Sequence, residues 1–464
     1  MKNWHNDLEK HKKYFLVGIG GAGMSAIAVV LKGLGFEVFG SDIKESRYTN
    51  VLRNENIKVY IGHSRENIKD ADAVVYSTAI PQDNVEIVAS KEKNIAVYSR
   101  SDILAWILNS NIGIAVAGTH GKTTTTSMIS LIMRGLNLDP TIIIGGELNE
   151  LGSNARFGNG DYVIAEACES DGSFLKYKPF VSVVNNIEED HLDYYKSYEN
   201  LKKSFVEFIK NTKPGGLIVL NGDEVKLPPG FTKPSNVRII RYGLDSKNDV
   251  CAENVKFSNF TSSYTLIVKE NKKFKKIKVK LNVPGTHNVK NSLAALAVCC
   301  GIGLDVSEAA RVLRLFTGVK RRFEKRGERN EAMIFDDYAH HPSEVKATLQ
   351  AAFTEKKERI ISVFQPHRYT RLKSLHNKFG GCFDLSDILI ITDVYGAGEQ
   401  PIPGVTGKLL LDSLIADGYE KEIAYIPKLQ DVSEYLQQNM RKDDMVLVMG
   451  AGDVTRITEE LLKT

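Results

Sequence analysis

No stretch of the chain approaches the ~18 consecutive apolar residues of a membrane span, and the polar opening MKNWHNDLEKHKK has no signal-peptide core behind it. A cytoplasmic protein with no membrane partner is expected. Cysteine is scarce: Cys168, Cys251, Cys299, Cys300 and Cys382 are odd in number and lack any C-x-x-C spacing. A disulfide framework and a zinc ribbon are therefore excluded, and reduced, mostly buried thiols are expected. Charge of one sign is missing too. With 61 Lys and Arg against 57 Asp and Glu, the net charge is only +4, and the basic residues are too dispersed for a nucleic-acid partner. The densest basic run, KENKKFKKIKVK (269–280), interleaves Phe274, Ile277 and Val279, as the solvated face of a hairpin strand would. There is no repeat of fixed period and no low-complexity tract. What remains is an ordinary globular composition, 42% hydrophobic and 25% charged over 464 residues, a length that implies about three domains.

Strands and helices alternate in three blocks, which predicts an α/β protein. The first, 1–107, carries strand candidates YFLVG, FEVFG, AVVYS and IAVYS. The second, 108–319, carries NIGIAV, DYVIAEA, FVSVVN and GLIVLNG, which read as parallel buried strands, then a β-rich insertion SYTLIVKENKKFKKIKVKLNV. The third, 320–464, shows AMIFDDY, RIISVF, DILIITD and DMVLVMG.

Two glycine loops stand at strand-to-helix junctions. Gly18, Gly20 and Gly23 in YFLVGIGGAGMSAIAVVL have G-x-G-x-x-G spacing, and Asp42 follows about 20 residues on, as in a Rossmann-like dinucleotide fold. The same glycines could serve only helix–strand packing. In AGTHGKTTTTSM (117–128) the phosphate-loop pattern is shortened to G-T-H-G-K-T, because Val116 stands where the usual first glycine would be. The physics survives the shortening: helix-start amides face phosphates, Lys122 reaches the β/γ oxygens and the Thr123 hydroxyl suits Mg²⁺. Further chemistry gathers at strand ends. EACESDGSF offers Glu166, and NNIEEDHLDYY offers Glu188, Glu189, Asp190 and His191, the last readable as a ligand or as an ordinary loop histidine. In PGTHNVKNSLAALAV, Asn288 and Asn291 precede a small-residue helix, either reading an adenine edge or capping. FQPHRYTRL sets His367, Arg368 and Arg371 after a strand, as a carboxylate clamp.

Together GIGGAGMSAIA, SDIKES, GTHGKTTTT, EACESDGSF, NNIEEDHLDYY, GTHNVKNSLAA, GVKRRFE, DDYAHHPSE, FQPHRYTR and DVYGAGE resemble, in order over nearly the whole chain, the cytoplasmic Mur ligases of bacterial peptidoglycan synthesis. They look like the branch that adds L-alanine to UDP-N-acetylmuramate. The resemblance implies an ATP-dependent amide ligase of three domains: a Rossmann-like N-terminal domain for the UDP-sugar, a P-loop-type central ATPase domain and a Rossmann-like C-terminal domain for the amino acid. It implies Mg²⁺ held by Thr123, Glu166 and His191, and catalysis by Lys122, Glu166, His191 and Arg322. ATP would meet Gly118, Thr119, His120, Gly121, Lys122, Thr123, Thr124, Asn288, Asn291, Arg322 and Asp337. The UDP-sugar would meet Gly20, Gly21, Asp42, His63, Ser77 and Thr78, and the amino acid Tyr338, His340, His367, Arg368 and Arg371. Cys168 departs from the family's acidic residue, and Ser204 in LKKSFVEF is expected where sister ligases use a carbamoylated lysine. The chain is expected to be a monomer or dimer. The tripeptide-recycling ligase is the rival within the family; an NAD-dependent dehydrogenase would leave Lys122, Thr123 and Glu166 unexplained, and a nucleotide-gated scaffold would release no phosphate.

Overall fold

The computed structural model describes residues 8–150, 152–270 and 273–463. The start of the chain, 1–7, and the tip of the basic hairpin, 271–272, lie outside it. Three sheets organise the described residues. The first joins β1 (Lys13–Val17), β2 (Glu37–Asp42), β3 (Lys58–Ile61), β4 (Ala73–Tyr76) and β5 (Ala96–Ser99) in the order 3-2-1-4-5, all parallel. Four of these strands are apolar runs legible in the sequence. The fifth, β3, reads KVYI with no buried residue; at a sheet edge it needs no apolar run.

The central sheet has ten strands in the order 15-14-13-12-11-10-6-9-7-8. Its parallel heart is β6 (Ile112–Ala117), β9 (Tyr162–Glu166), β10 (Val181–Val184) and β11 (Leu217–Asn221), flanked by β7 (Thr141–Leu148), β8 (Ser153–Arg156) and β12 (Arg238–Gly243). The insertion is an antiparallel meander of β13 (Val250–Ser258), β14 (Thr261–Glu270) and β15 (Lys273–Leu281). On β15, Phe274 is exposed and Val279 buried, consistent with one solvated face. Helices Lys122–Gly135 and Thr286–Gly301 bury Met128, Ile129, Ile132, Val289, Leu293 and Leu296 in one core against this sheet.

The third sheet runs β16 (Glu324–Arg329), β17 (Ala332–Asp337), β21 (Met445–Met449), β18 (Ile360–Phe364), β19 (Ile388–Ile391), β20 (Glu422–Tyr425), with only the edge strand β16 antiparallel. Both edges, EKRGER and EIAY, are polar or half-exposed and carry no strand signal in the sequence.

Polar contacts join the units. Asn154 Nδ2 donates to Ala22 O at 2.6 Å. Glu147, whose side chain is 7% exposed, receives Arg47 Nη2 at 2.6 Å from the first unit and Lys320 Nζ at 2.8 Å from the segment leading into the third. Among the described residues no helix is long and apolar enough to cross a membrane.

Candidate functional site

The shortened loop leaves β6 at Gly118, with φ +139°, and enters helix Lys122–Gly135 through Gly121, with φ +75°. Both values favour glycine. A Cβ on Gly118 would also lie 3.0 Å from Asn185 Cβ, so the loop packs directly on the residues that follow β10. Thr119 N donates to Asn186 O at 3.2 Å, His120 N to Asn186 Oδ1 at 2.8 Å, and Glu188 N to Thr119 Oγ1 at 2.9 Å. No side chain caps the helix at Gly121, which leaves its first amides to an anion.

Lys122 Nζ donates to Gly118 O at 2.5 Å and Thr119 O at 3.1 Å, and pairs with Glu169 at 2.8 and 3.0 Å. Burial opposes its charge, yet the Glu169 carboxylate holds its pKa above the usual lysine value. Glu169 is 1% exposed. The sequence reading stopped at Glu166 and missed it, although it lies in the same EACESDGSF run, in the turn beyond the strand. Cys168 stays a neutral thiol, pushed up by burial and by Glu169.

Glu166 ends β9 and turns toward β7, where its Oε1 accepts from Gly145 N at 2.7 Å. A Cβ on Gly145 would lie 3.0 Å from Glu166 Oε2, and one on Gly146 3.0 Å from Thr123 Cγ2. Thr123 and Glu166 thus flank one glycine pair and offer oxygen donors, the chemistry Mg²⁺ takes. His191 belongs to a different grouping: its Nε2 is 3.5 Å from Asp190 and 3.8 Å from Glu169. The carboxylate paired with His191 is Glu169, because Glu166 is turned away to Gly145. Burial holds the His191 pKa below its usual value in spite of Asp190.

A cavity of about 300 Å³ lies between the phosphate loop, helix Thr286–Gly301 and the third unit. His120, Gly121 and Thr124 line one wall, Asn288 and Asn291 a second, Arg322 and Asp337 a third. The asparagines lie inside the helix, one turn apart, and not ahead of it as the sequence suggested; Gly285, with φ +96°, is the N-cap. Asn288 Nδ2 donates to Pro284 O at 2.7 Å, and Asn291 Oδ1 accepts from Thr125 at 3.3 Å. Asp337 accepts from the amides of Phe323 and Ala339, each at 2.7 Å. Burial, partly offset by Arg322, raises its carboxyl to about 6. The sequence reading missed Glu344 and Asn185, which also line this cavity.

At the carboxyl edge of the first sheet, Gly20 N donates to Asp42 Oδ2 at 2.8 Å. His63 Nδ1 lies 2.8 Å from Glu86 and 3.0 Å from Ser41 Oγ. Glu86 is wholly buried; sitting on a helix face with no motif around it, it left no signal. Gly21 caps helix Ala22–Gly33, and Ser77 and Thr78 follow β4, with Ser77 Oγ accepting from Ala79 N at 3.3 Å.

In the third unit Tyr338, His340 and His367 form a chain of rings, with centroids 5.7 Å apart at each step. Arg368, with φ +67°, caps helix Tyr369–Leu375 and sends its guanidinium to Glu399 at 2.6 Å and Asp193 at 3.4 Å. Arg371 bonds His367 Nδ1 at 2.9 Å and Asp190 at 3.2 Å. Both arginines therefore face the central unit, around a second cavity of about 260 Å³ lined by Asp190, His191, Asp193, Arg368 and Arg371. Ser204, on helix Tyr198–Lys210, donates to Asn200 O at 3.1 Å.

These contacts hold the third unit closed on the second, and ionisation should modulate them. Burial opposes charge on His120, but Glu344 and Glu188 overcome it and lift the imidazole to about 9. Burial likewise opposes ionisation of Glu188, and His120 overcomes it to bring the carboxyl to about 2. His120 reaches across to Glu344 of the third unit, so the raised base favours closure fully below its free value near ~6.5 and loses that as pH climbs through about 9. The expected radius of gyration in small-angle scattering is smallest between about pH 5 and 6.5 and larger by about pH 9.5. Equal radii across that range would remove His120 from the closure.

Family models match in chain order: the Mur ligase family catalytic domain over residues 13–111, the Mur ligase middle domain over 116–299 and the Mur ligase glutamate ligase domain over 321–452. The chain belongs to the Mur ligase family. UDP-N-acetylmuramate–L-alanine ligases from Pelotomaculum thermopropionicum and Desulforamulus reducens are 44% and 45% identical to it, with 98% of each chain covered. The crystal structure of the UDP-N-acetylmuramate–alanine ligase MurC from Thermotoga maritima superposes with a TM-score of 0.80 at 30% identity, over 97% of this chain and 98% of that one. A murein peptide ligase from Psychrobacter arcticus, at 24% identity and a TM-score of 0.72 over 97% of this chain and 98% of that one, shares the fold.

Proposed function

We propose that this chain joins the amine of L-alanine to the lactyl carboxylate of UDP-N-acetylmuramate, with ATP converted to ADP and phosphate in the cytoplasm. The observation that carries this reading is the position of segment 185–193. One side of it packs on the phosphate loop through Asn186 and Glu188, and the other lines the arginine cavity through Asp190 and Asp193. A phosphorylated carboxylate at that segment would lie between a nucleotide and an amino acid.

A carboxylate resists attack by an amine, so its oxygen first takes the γ-phosphoryl group from ATP and ADP leaves. The amine nitrogen then attacks the acyl carbon, the C–O bond to phosphate breaks, and the nitrogen loses its proton. Lys122 stabilises the charge on the transferring phosphoryl group, an electrostatic effect that needs a fixed donor and little water. Thr123 and Glu166 would hold Mg²⁺, which supplies charge neutralisation when bound. Arg368 and Arg371 orient the alanine carboxylate. Burial, with Arg371 nearby, drops His340 to about 4 and His367 to about 3, so both are neutral at pH 7 and can accept a hydrogen bond that orients the alanine amine, while they are too weakly basic to take its proton.

The test is phosphate release measured over a matrix of UDP-muramoyl acceptors, amino acids and tripeptide. Release that requires ATP, UDP-N-acetylmuramate and L-alanine together is expected. Release driven by tripeptide in place of alanine would assign the chain to recycling.

A further inference from the structure

His120, Glu188 and His341 come from three separate segments, the phosphate loop, the turn after β10 and the start of helix Pro342–Phe353. They present one donor atom each, all within 4.8 Å of one another. Glu188 Oε2 is 3.5 Å from His120 Nε2 and 3.7 Å from His341 Nδ1. Four-coordinate zinc, with bonds of about 2.0–2.2 Å, sets its ligand atoms roughly 3.3–3.5 Å apart. Ser343 Oγ now hydrogen-bonds the same two nitrogens, at 2.9 Å from His120 Nε2 and 2.7 Å from His341 Nδ1, and a bound ion would replace those bonds.

The second ring nitrogens make the cluster more than a chance approach. His341 Nε2 hydrogen-bonds Glu189 O at 3.4 Å, and His120 Nδ1, buried and without a hydrogen bond, lies 3.1 Å from the Glu344 carboxylate, within reach of it after a small turn of the ring. A metal-bound imidazole almost always gives its other N–H to a carboxylate or a backbone carbonyl, which fixes the ring and strengthens the ligand. The backbones are held as well, with His120 N on Asn186 Oδ1 and Glu188 N on Thr119 Oγ1.

We infer that His120, Glu188 and His341 form a binding site for a borderline divalent cation of the zinc class, separate from the oxygen donors Thr123 and Glu166. Two imidazoles and one carboxylate select such an ion over Mg²⁺. Because His120 and Glu188 belong to the central unit and His341 to the third, the bound ion staples the closed arrangement. Because His120 and Glu188 also line the 300 Å³ cavity, the ion and a nucleotide oppose each other there.

The experiment titrates the full chain with ZnCl₂ in millimolar Mg²⁺, against a chromogenic chelator. The expected result is one tight equivalent whose affinity falls at least about 10-fold in Glu188→Gln and in His341→Ala, and is kept in His191→Ala. Cobalt(II) in place of zinc should give the strong visible bands of a four-coordinate ion in the wild type and lose them in Glu188→Gln. Thermal melts without metal identify any variant that fails to fold; Glu188, whose side chain is 35% exposed, is the variant that decides in that case. Affinity unchanged in Glu188→Gln, or lost equally in His191→Ala, overturns the site. The readout is binding, so it stands whether or not the ligation assay succeeds.

Discussion

Lys122→Ala is expected to lower ligation turnover by at least about 10³-fold, the scale on which an oriented donor to a developing charge acts. The same change strands Glu169, which is 1% exposed and pairs with the lysine at 2.8 Å. An uncompensated buried charge costs about 3–5 kcal/mol, so the single variant should melt early as well. Glu169→Gln added to Lys122→Ala removes the stranded charge and should return most of the stability without returning turnover. Differential scanning calorimetry and phosphate release on the single and double variants make the distinction. A double variant that regains activity with its melting temperature would make Lys122 a structural group and remove it from the chemistry.

The second large effect is expected at Arg371. Its guanidinium bonds His367 Nδ1 and Asp190 at once, in a fixed planar geometry that an ammonium does not reproduce. Arg371→Lys should raise the KM for L-alanine by about 10-fold or more, the scale of a charged hydrogen bond worth ~1.5–3 kcal/mol, with the KM for ATP and for UDP-N-acetylmuramate nearly unchanged. Steady-state kinetics with each substrate varied in turn provides the check. A rise in the ATP KM with alanine unaffected would make the Asp190 pairing a latch for the nucleotide side and sink the assignment to the amino acid.

The parts of this molecule that could be read from sequence are those where geometry and chemistry share a short stretch. The phosphate loop is one: Gly118 and Gly121 need positive φ, and Lys122 must follow them. The arginine pair is another, since a three-residue spacing after a strand end puts both side chains toward the same neighbour. What escaped has physical causes. Strands β3, β16 and β20 are edges, and a half-wet strand carries no apolar run. Glu169, Glu86 and Glu344 owe their roles to partners far along the chain, Lys122, His63 and His120. The placement of Asn288 within its helix turned on Gly285 supplying the N-cap, a detail of φ that composition does not reveal. The grouping of His191 with Glu169 followed from the direction in which Glu166 leaves its strand.

Glu147 carries a consequence for how the units communicate. Arg47, on the first unit, and Lys320, in the segment that leads to the third, both end on the same carboxylate oxygen, at 2.6 and 2.8 Å. One oxygen shared by two cations makes the junctions rivals: withdrawing either strengthens the hold on the other. Loss of the Arg47 contact would therefore tighten the junction at Lys320, and by reciprocity loss of the Lys320 contact would tighten the grip on Arg47.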